Sequence, residues 1–237
     1  MFTLIAGDSM MRPLNPNAYY VDKTGNIKNY HSPRHFCCLI RKPNDLKTIT
    51  IPGLSFKNIK YKKLRQKNGT HVPFSKSVDN YIQQKDFDGT LCICVGTNDS
   101  ELFRDNAIKN YLNKMAEFLN SLEFATNIST LIICTVTAPK KDSPWIVRAK
   151  TNFNINLWNS FYAGRLNFQS QFNHIIKTYP LNLVRQVDLS RIPFWLYCEQ
   201  ERRRGRNPTH LNRLEFHRII DQIRNIRTLA SIKSKFN

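Results

Sequence analysis

A three-layer α/β/α sandwich around a mostly parallel sheet is the fold this sequence predicts, and two apolar runs with the pattern between them carry the prediction. The runs are "TLCICVG", Thr90 to Gly96, and "TLIICTVTAP", Thr130 to Pro139. Both are rich in Val, Ile, Thr and Cys and lack the polar alternation of a half-solvated strand, so both read as strands covered on two faces. Between them Ile108, Leu112, Met115, Leu119 and Leu122 recur at helical spacing, which predicts a helix from about Asp105 to Leu122 with Asp105 as N-cap. Strand, helix and strand in that order make a right-handed crossover.

The alternation extends outward. Phe2 to Ala6 is the first strand, Thr48 to Ile51 a short second one, and Ser75 to Gln84 a helix. After Pro139 the pattern predicts an irregular loop, a helix from about Trp158 to Lys177, a strand "NLVRQVDL" ending near Asp188, a loop to Pro208 and a terminal helix. Ala18 to Tyr30 breaks the pattern, because Asp22-Lys23-Thr24-Gly25 is a turn signal between two β-prone runs; it predicts a hairpin inserted after the first helix. No repeat, low-complexity tract or dividing linker is visible, so one domain over residues 1–237 is expected.

Bulk properties limit the function. A chain of 237 residues with 41% hydrophobic and 11% aromatic content can bury a sizeable core without metals or disulfides. Its 36 Lys and Arg against 17 Asp and Glu give a formal net charge of +19. Such an imbalance suits a polyanionic neighbour, whether nucleic acid, an anionic membrane surface or an acidic substrate; an unused solvated surface is the plain alternative. Met1 to Ala6 runs straight into Gly7-Asp8-Ser9 without a basic leader or cleavage site, as a first strand does and a signal peptide does not. No stretch approaches the ~20 apolar residues of a spanning helix, and an intracellular protein is expected. The six cysteines form no disulfide framework; Cys92, Cys94 and Cys134 read as buried reduced thiols. Cys37 and Cys38 lie near His31 and His35 without zinc spacing, and no metal or organic cofactor is expected.

Reacting groups in a parallel sheet gather where the strands end at their carboxyl edge. Gly7-Asp8-Ser9 follows the first strand, Pro52-Gly53 the second and Gly96-Thr97-Asn98-Asp99 the third, while Asn207-Pro208-Thr209-His210 precedes the last helix. A serine nucleophile needs a base within hydrogen-bond reach, and its tetrahedral intermediate needs donors aimed at the oxyanion. Ser9 offers a hydroxyl and its own N–H, Gly53 a second N–H with no side chain in the way, Asn98 an amide and His210 an imidazole base. Singly, each has a plainer role: Ser9 as a helix cap, His210 as a solvated residue capped by Thr209 or Asn207. His71, His174 and His217 read as packed or solvated residues.

In order and spacing the four blocks resemble those of the SGNH (GDSL-type) hydrolases. "GDSMM" from Gly7 looks like the first block, "IPGLSFKNI" around Gly53 the second, "VGTND" ending at Asp99 the third and "NPTHLN" around His210 the last. The resemblance spans nearly the whole chain. It implies a flavodoxin-like sheet and an esterase in which Ser9 attacks an ester carbonyl and His210 relays the proton. The Ser9 and Gly53 N–H groups and Asn98 would hold the oxyanion, with no cofactor. Lipids, acylated carbohydrates and similar esters are the substrates it implies. One residue departs from the family: Asn207 stands where an Asp usually precedes the His by three. Asn can orient an imidazole but carries no charge to stabilise the imidazolium, and an uncharged replacement in a serine protease triad costs about 10⁴ in turnover. A backbone carbonyl, Asp99 or Asp188 are other ways to hold the ring. The alternative function is a weak or inactive domain of the same fold that binds nucleic acid, anionic membrane or a protein partner through its basic face.

The basic residues cluster after these blocks. Lys57, Lys60, Lys62, Lys63, Arg65 and Lys67 follow Gly53, Lys140 and Lys141 follow Pro139, and Arg202, Arg203, Arg204 and Arg206 precede His210. They are expected to rim one mouth and to favour acidic substrates or phosphate backbones. Pro193 to Tyr197, with Trp145 and Arg148 in the loop after Pro139, place aromatics beside arginines. Core packing is their commonest role, and a lipid interface or stacking with bases also suits them.

Overall fold

The computed structural model describes residues 1–8, 19–21, 27–29, 45–65, 69–138, 142–176, 183–187 and 213–233. In chain order the elements are β1 (Phe2–Gly7), β2 (Tyr19–Val21), β3 (Ile27–Asn29), β4 (Leu46–Thr50), β5 (Lys63–Arg65), β6 (His71–Pro73) and α1 (Phe74–Ile82). There follow β7 (Phe87–Cys94), α2 (Ala107–Asn120), β8 (Thr130–Cys134), α3 (Pro144–Ala163), α4 (Arg165–Ile175), β9 (Leu183–Val187) and α5 (Arg213–Lys233).

The central sheet runs β4-β1-β7-β8-β9 and every pairing in it is parallel. That is the flavodoxin-like, doubly wound order in which the second strand lies outside the first. Period-two alternation sorts the side chains to two faces. Leu4, Ala6, Leu91, Ile93, Leu131 and Ile133 point into a core shared with Val78, Met115, Leu157 and Phe172 of α1 to α4. Ile5, Cys92, Cys94, Ile132 and Cys134 point the other way, onto Ile219, Ile220 and Ile223 of α5. Helices on both faces give three layers, and they explain why β1, β8 and the second half of β7 are largely apolar.

The three thiols of the second face are free and buried. The Sγ atoms of Cys92 and Cys134 lie 3.5 Å apart. The bond to Cys92 and burial hold the Cys134 thiol well above its ordinary range, so it packs as a small apolar group and not as a nucleophile. Arg224 and Arg227 of α5 reach Asp45, just before β4, at 3.0 and 2.9 Å. The Arg224 guanidinium keeps the Asp45 carboxyl below the usual carboxylate range. Partly exposed pairs of this kind contribute about 1 kcal/mol or less.

Several elements depart from the sequence expectation. α2 begins at Ala107 behind Asn106, which is left-handed at φ 55°, so Asp105 is not the N-cap. A long helix occupies the segment expected to be a loop after Pro139. The Ser143 hydroxyl accepts from the Ile146 N–H at 3.4 Å and Pro144 takes the first helical position, so α3 starts fourteen residues before Trp158. The chain then breaks at Gly164 into α4, giving two helices in place of the one expected to end at Lys177. The antiparallel ribbon of β5 and β6, with Lys63 opposite Pro73, was not anticipated. β2 and β3 pair antiparallel with Tyr20 opposite Lys28; the turn signal at 22–25 lies outside the described residues, as do Pro193 to Tyr197 and Cys37 and Cys38. Among the described residues no helix is long and apolar enough to cross a membrane.

Candidate active site at the carboxyl edge of the sheet

β1, β4 and β7 end level, with Gly7 between Thr50 and Cys94. The strand order reverses between β1 and β7, which is where doubly wound sheets open a crevice for ligands. Backbone bonds extend the pairing past the strands. The Asp8 N–H donates to the Cys94 carbonyl at 2.9 Å, and the Ile51 N–H to the Gly7 carbonyl at 3.0 Å. Asp8 is fully buried. Above it Asn98 is exposed, and its amide donates to the Leu54 carbonyl at 3.0 Å and lies 3.5 Å from an Asp8 carboxylate oxygen. Three of the four sequence blocks therefore meet at one point on the sheet edge.

The loop after β4 is fixed by its own side chains and by the third block. Gly53 is exposed and left-handed at φ 64°, and an added Cβ would meet nothing within 4 Å. The glycine is thus required by backbone conformation and not by crowding. Asn58 donates to the Gly53 carbonyl at 3.0 Å and accepts from the Ser55 N–H at 2.9 Å. The carboxylate of Asp99 accepts from the backbone N–H groups of Phe56 at 3.0 Å and Lys57 at 3.3 Å. Asp99 therefore ties the second block to the third, and these two bonds are what its carboxylate does among the described residues.

Burial pushes the Asp99 carboxyl from its ordinary 3.8 up to about 6, against the pull of its two backbone donors. A folded-state value above the unfolded one means that the native state holds the proton longer. The associated stability is present in full below pH ~4 and is lost as pH rises through about 6. Relative to Asp99→Asn, which holds no charge, the wild type should lose on the order of 2–3 kcal/mol between pH 4 and pH 8. Urea unfolding of both proteins across that range tests this; a constant gap would refute it.

The loop after β7 is held from α3. Gly96 has φ 121°, and a Cβ there would come within 2.9 Å of the Tyr111 ring and 3.0 Å of Val136. The ammonium of Lys150, a residue 2% exposed, donates to the Thr97 carbonyl at 2.6 Å and to Asp142 at 2.8 Å. One turn on, buried Asn154 accepts from the Val136 N–H at 3.1 Å and donates to the Val136 carbonyl at 2.7 Å. Lys150, Asn154 and Asn58 were all missed in the sequence. Lys150→Met would leave the Thr97 carbonyl unpaired and Asp142 without its partner. A loss of about 3 kcal/mol is expected, seen as a lower urea midpoint at unchanged slope.

Of the remaining candidates, Ser9, Asn207, His210 and Arg202, Arg203, Arg204 and Arg206 lie outside the described residues, as does Asp188. Lys57, Lys60 and Lys63 are exposed and Lys62 half-buried, around a protruding Tyr61 that is 78% exposed. Among the described residues none of these four lysines pairs with a carboxylate. Trp145 and Arg148 stand on the first two turns of α3 and not in a loop. His71 and His174 are exposed. Among the described residues no group of three or more His, Cys, Asp or Glu is placed to hold a metal ion.

No protein-family model matches this chain, and no curated protein matches it. Among solved structures, the native aryl esterase of M. smegmatis aligns over 97% of this chain and 100% of its own, at 10% identity and a TM-score of 0.43.

Proposed function

We propose that this chain is a serine-dependent ester hydrolase of the SGNH type, with Ser9 as nucleophile. The observation that carries the proposal is the meeting of Asn98, Leu54 and Asp8 at the point where strand order reverses, with Asn98 and Gly53 both open to solvent. Ser9 follows Asp8 in the sequence, and this reading takes it as the nucleophile, with the Gly53 N–H and the Asn98 amide as its oxyanion donors.

In this mechanism the Ser9 hydroxyl adds to the ester carbonyl while His210 takes its proton. The Ser9 N–H, the Gly53 N–H and the Asn98 amide stabilise the charge that develops on the carbonyl oxygen. His210 then protonates the departing alkoxide. Water, deprotonated by the same imidazole, releases the acid from the acyl-enzyme and restores Ser9. Asn58, Asp99 and Lys150 act as positioning residues, because each fixes a backbone segment that carries a donor. Lys57, Lys60, Lys62 and Lys63, with the arginines before His210, favour esters that bear negative charge.

Hydrolysis of short- and long-acyl nitrophenyl esters by the whole chain, across a range of pH, tests the proposal. Turnover above the buffer blank is expected, and none at any pH would overturn it.

A further inference from the structure

A groove of about 1390 Å³ opens between the amino-terminal end of α2, the first turns of α3 and the end of α4. It contains neither Gly53 nor Asn98, and the esterase proposal makes no use of it. Pockets for small ligands usually enclose about 300–1,000 Å³, so this one suits an extended ligand.

Its chemistry narrows the class. Phe103, Leu112, Phe153 and Phe168 form a buried apolar floor. Arg104, Lys109 and Arg148 are exposed along the walls, and among the described residues none has a carboxylate partner. Asp105 alone among the lining residues carries negative charge. The rest of the wall is rich in amides: Asn106, Asn152, Asn156 and Gln171 are all exposed and offer donors and acceptors together. Trp145, 51% exposed, is part of the lining.

A fatty chain would lie against polar walls here. A ring that inserts into a membrane protrudes from a convex surface, whereas Trp145 lines a concavity. Cations for phosphates, amides for base edges and an open indole face for stacking together match an unpaired nucleotide strand. We propose that this groove binds single-stranded nucleic acid, with Arg104, Lys109 and Arg148 on the phosphates and Trp145 stacked on a base.

The test is fluorescence anisotropy of a labelled dT12 oligonucleotide with the whole chain, titrated at several salt concentrations. Arg104→Ala/Arg148→Ala should weaken binding at least tenfold and reduce the slope of log K against log salt by about 1.4, the value for two phosphate contacts to a single strand. Trp145→Ala should weaken it about 5- to 150-fold. Lys57→Ala/Lys60→Ala, outside the groove, should do less than either. All three groove positions are exposed, and unchanged circular dichroism would show that the variants fold. The proposal fails if the wild type does not bind dT12 at low salt, or if the groove variants bind it as the wild type does. It also fails if duplex DNA of the same length competes equally, or if the groove variants lose only vesicles containing phosphatidylglycerol, which would make this a lipid site.

Discussion

Ser9→Ala is expected to lower kcat for a short-acyl nitrophenyl ester by about 10²-fold, and not by the larger factor of a complete triad. Where nucleophile, base and carboxylate act together, removing the serine costs about 2 × 10⁶ in kcat. If Asn207 takes the carboxylate's place, as the proposed mechanism has it, about 10⁴ of that advantage is already gone. Roughly 10² then remains for Ser9 to lose. The substitution should leave the scaffold alone, because the bonds that fix this edge run through the Asp8 N–H, the Gly7 carbonyl and the Asn98 amide. The urea midpoint and KM should both stay close to wild type. A rate unchanged by Ser9→Ala would mean that any observed hydrolysis comes from surface lysines or histidines, and the nucleophile would have to be sought elsewhere.

The parallel strands were legible because burial on two faces writes a continuous apolar run. Thr90 to Gly96 and Thr130 to Pro139 could be read as strands, with errors of two to five residues at their ends against Phe87–Cys94 and Thr130–Cys134, since the register of "LCICV" serves two cores at once. Three of the four blocks could be placed at the carboxyl edge of the sheet for a related reason, since each follows a buried parallel strand. What escaped was α3. Its buried stripe is Lys150, Phe153, Asn154, Leu157 and Phe161, and the two polar members break the apolar periodicity that marks a helix. Ser143 followed by Pro144 was the overlooked signal, a cap and a first-turn proline.

The same two residues explain why the pattern fails there. Lys150 satisfies the Thr97 carbonyl and Asn154 both backbone groups of Val136, in loops that have no strand partner among the described residues. Leaving those groups unpaired in the interior would cost about 1–3 kcal/mol each. A helix that holds irregular backbone at a site must therefore carry polar residues on its buried face, and local rules give way where a site is being built. Asp99 shows the same logic from the loop side. Its residue type was legible in "VGTND", but its ties to the Phe56 and Lys57 N–H groups join segments more than forty residues apart. No local pattern encodes that.

Asn207→Asp is expected to raise kcat, by as much as ~10⁴-fold where His210 otherwise lacks a charged partner. A carboxylate there would hold the imidazole in the tautomer that accepts the Ser9 proton and would stabilise the imidazolium formed in the transition state. It would also raise the histidine pKa, so the acidic limb of the kcat/KM profile should move to higher pH. The two substitutions should be strongly non-additive. Ser9→Ala should cost about 10² in the wild type and about 10⁶ in the Asn207→Asp background, because a carboxylate and a base with no nucleophile between them gain nothing from each other. Steady-state kinetics on the four proteins of this cycle measure the coupling directly. If Asn207→Asp leaves the rate unchanged while Ser9→Ala still lowers it, His210 is oriented by another group, such as a backbone carbonyl, and Asn207 lies outside the triad. If the gain and the coupling are both present, the chain retains a complete site held back by the one missing charge at position 207.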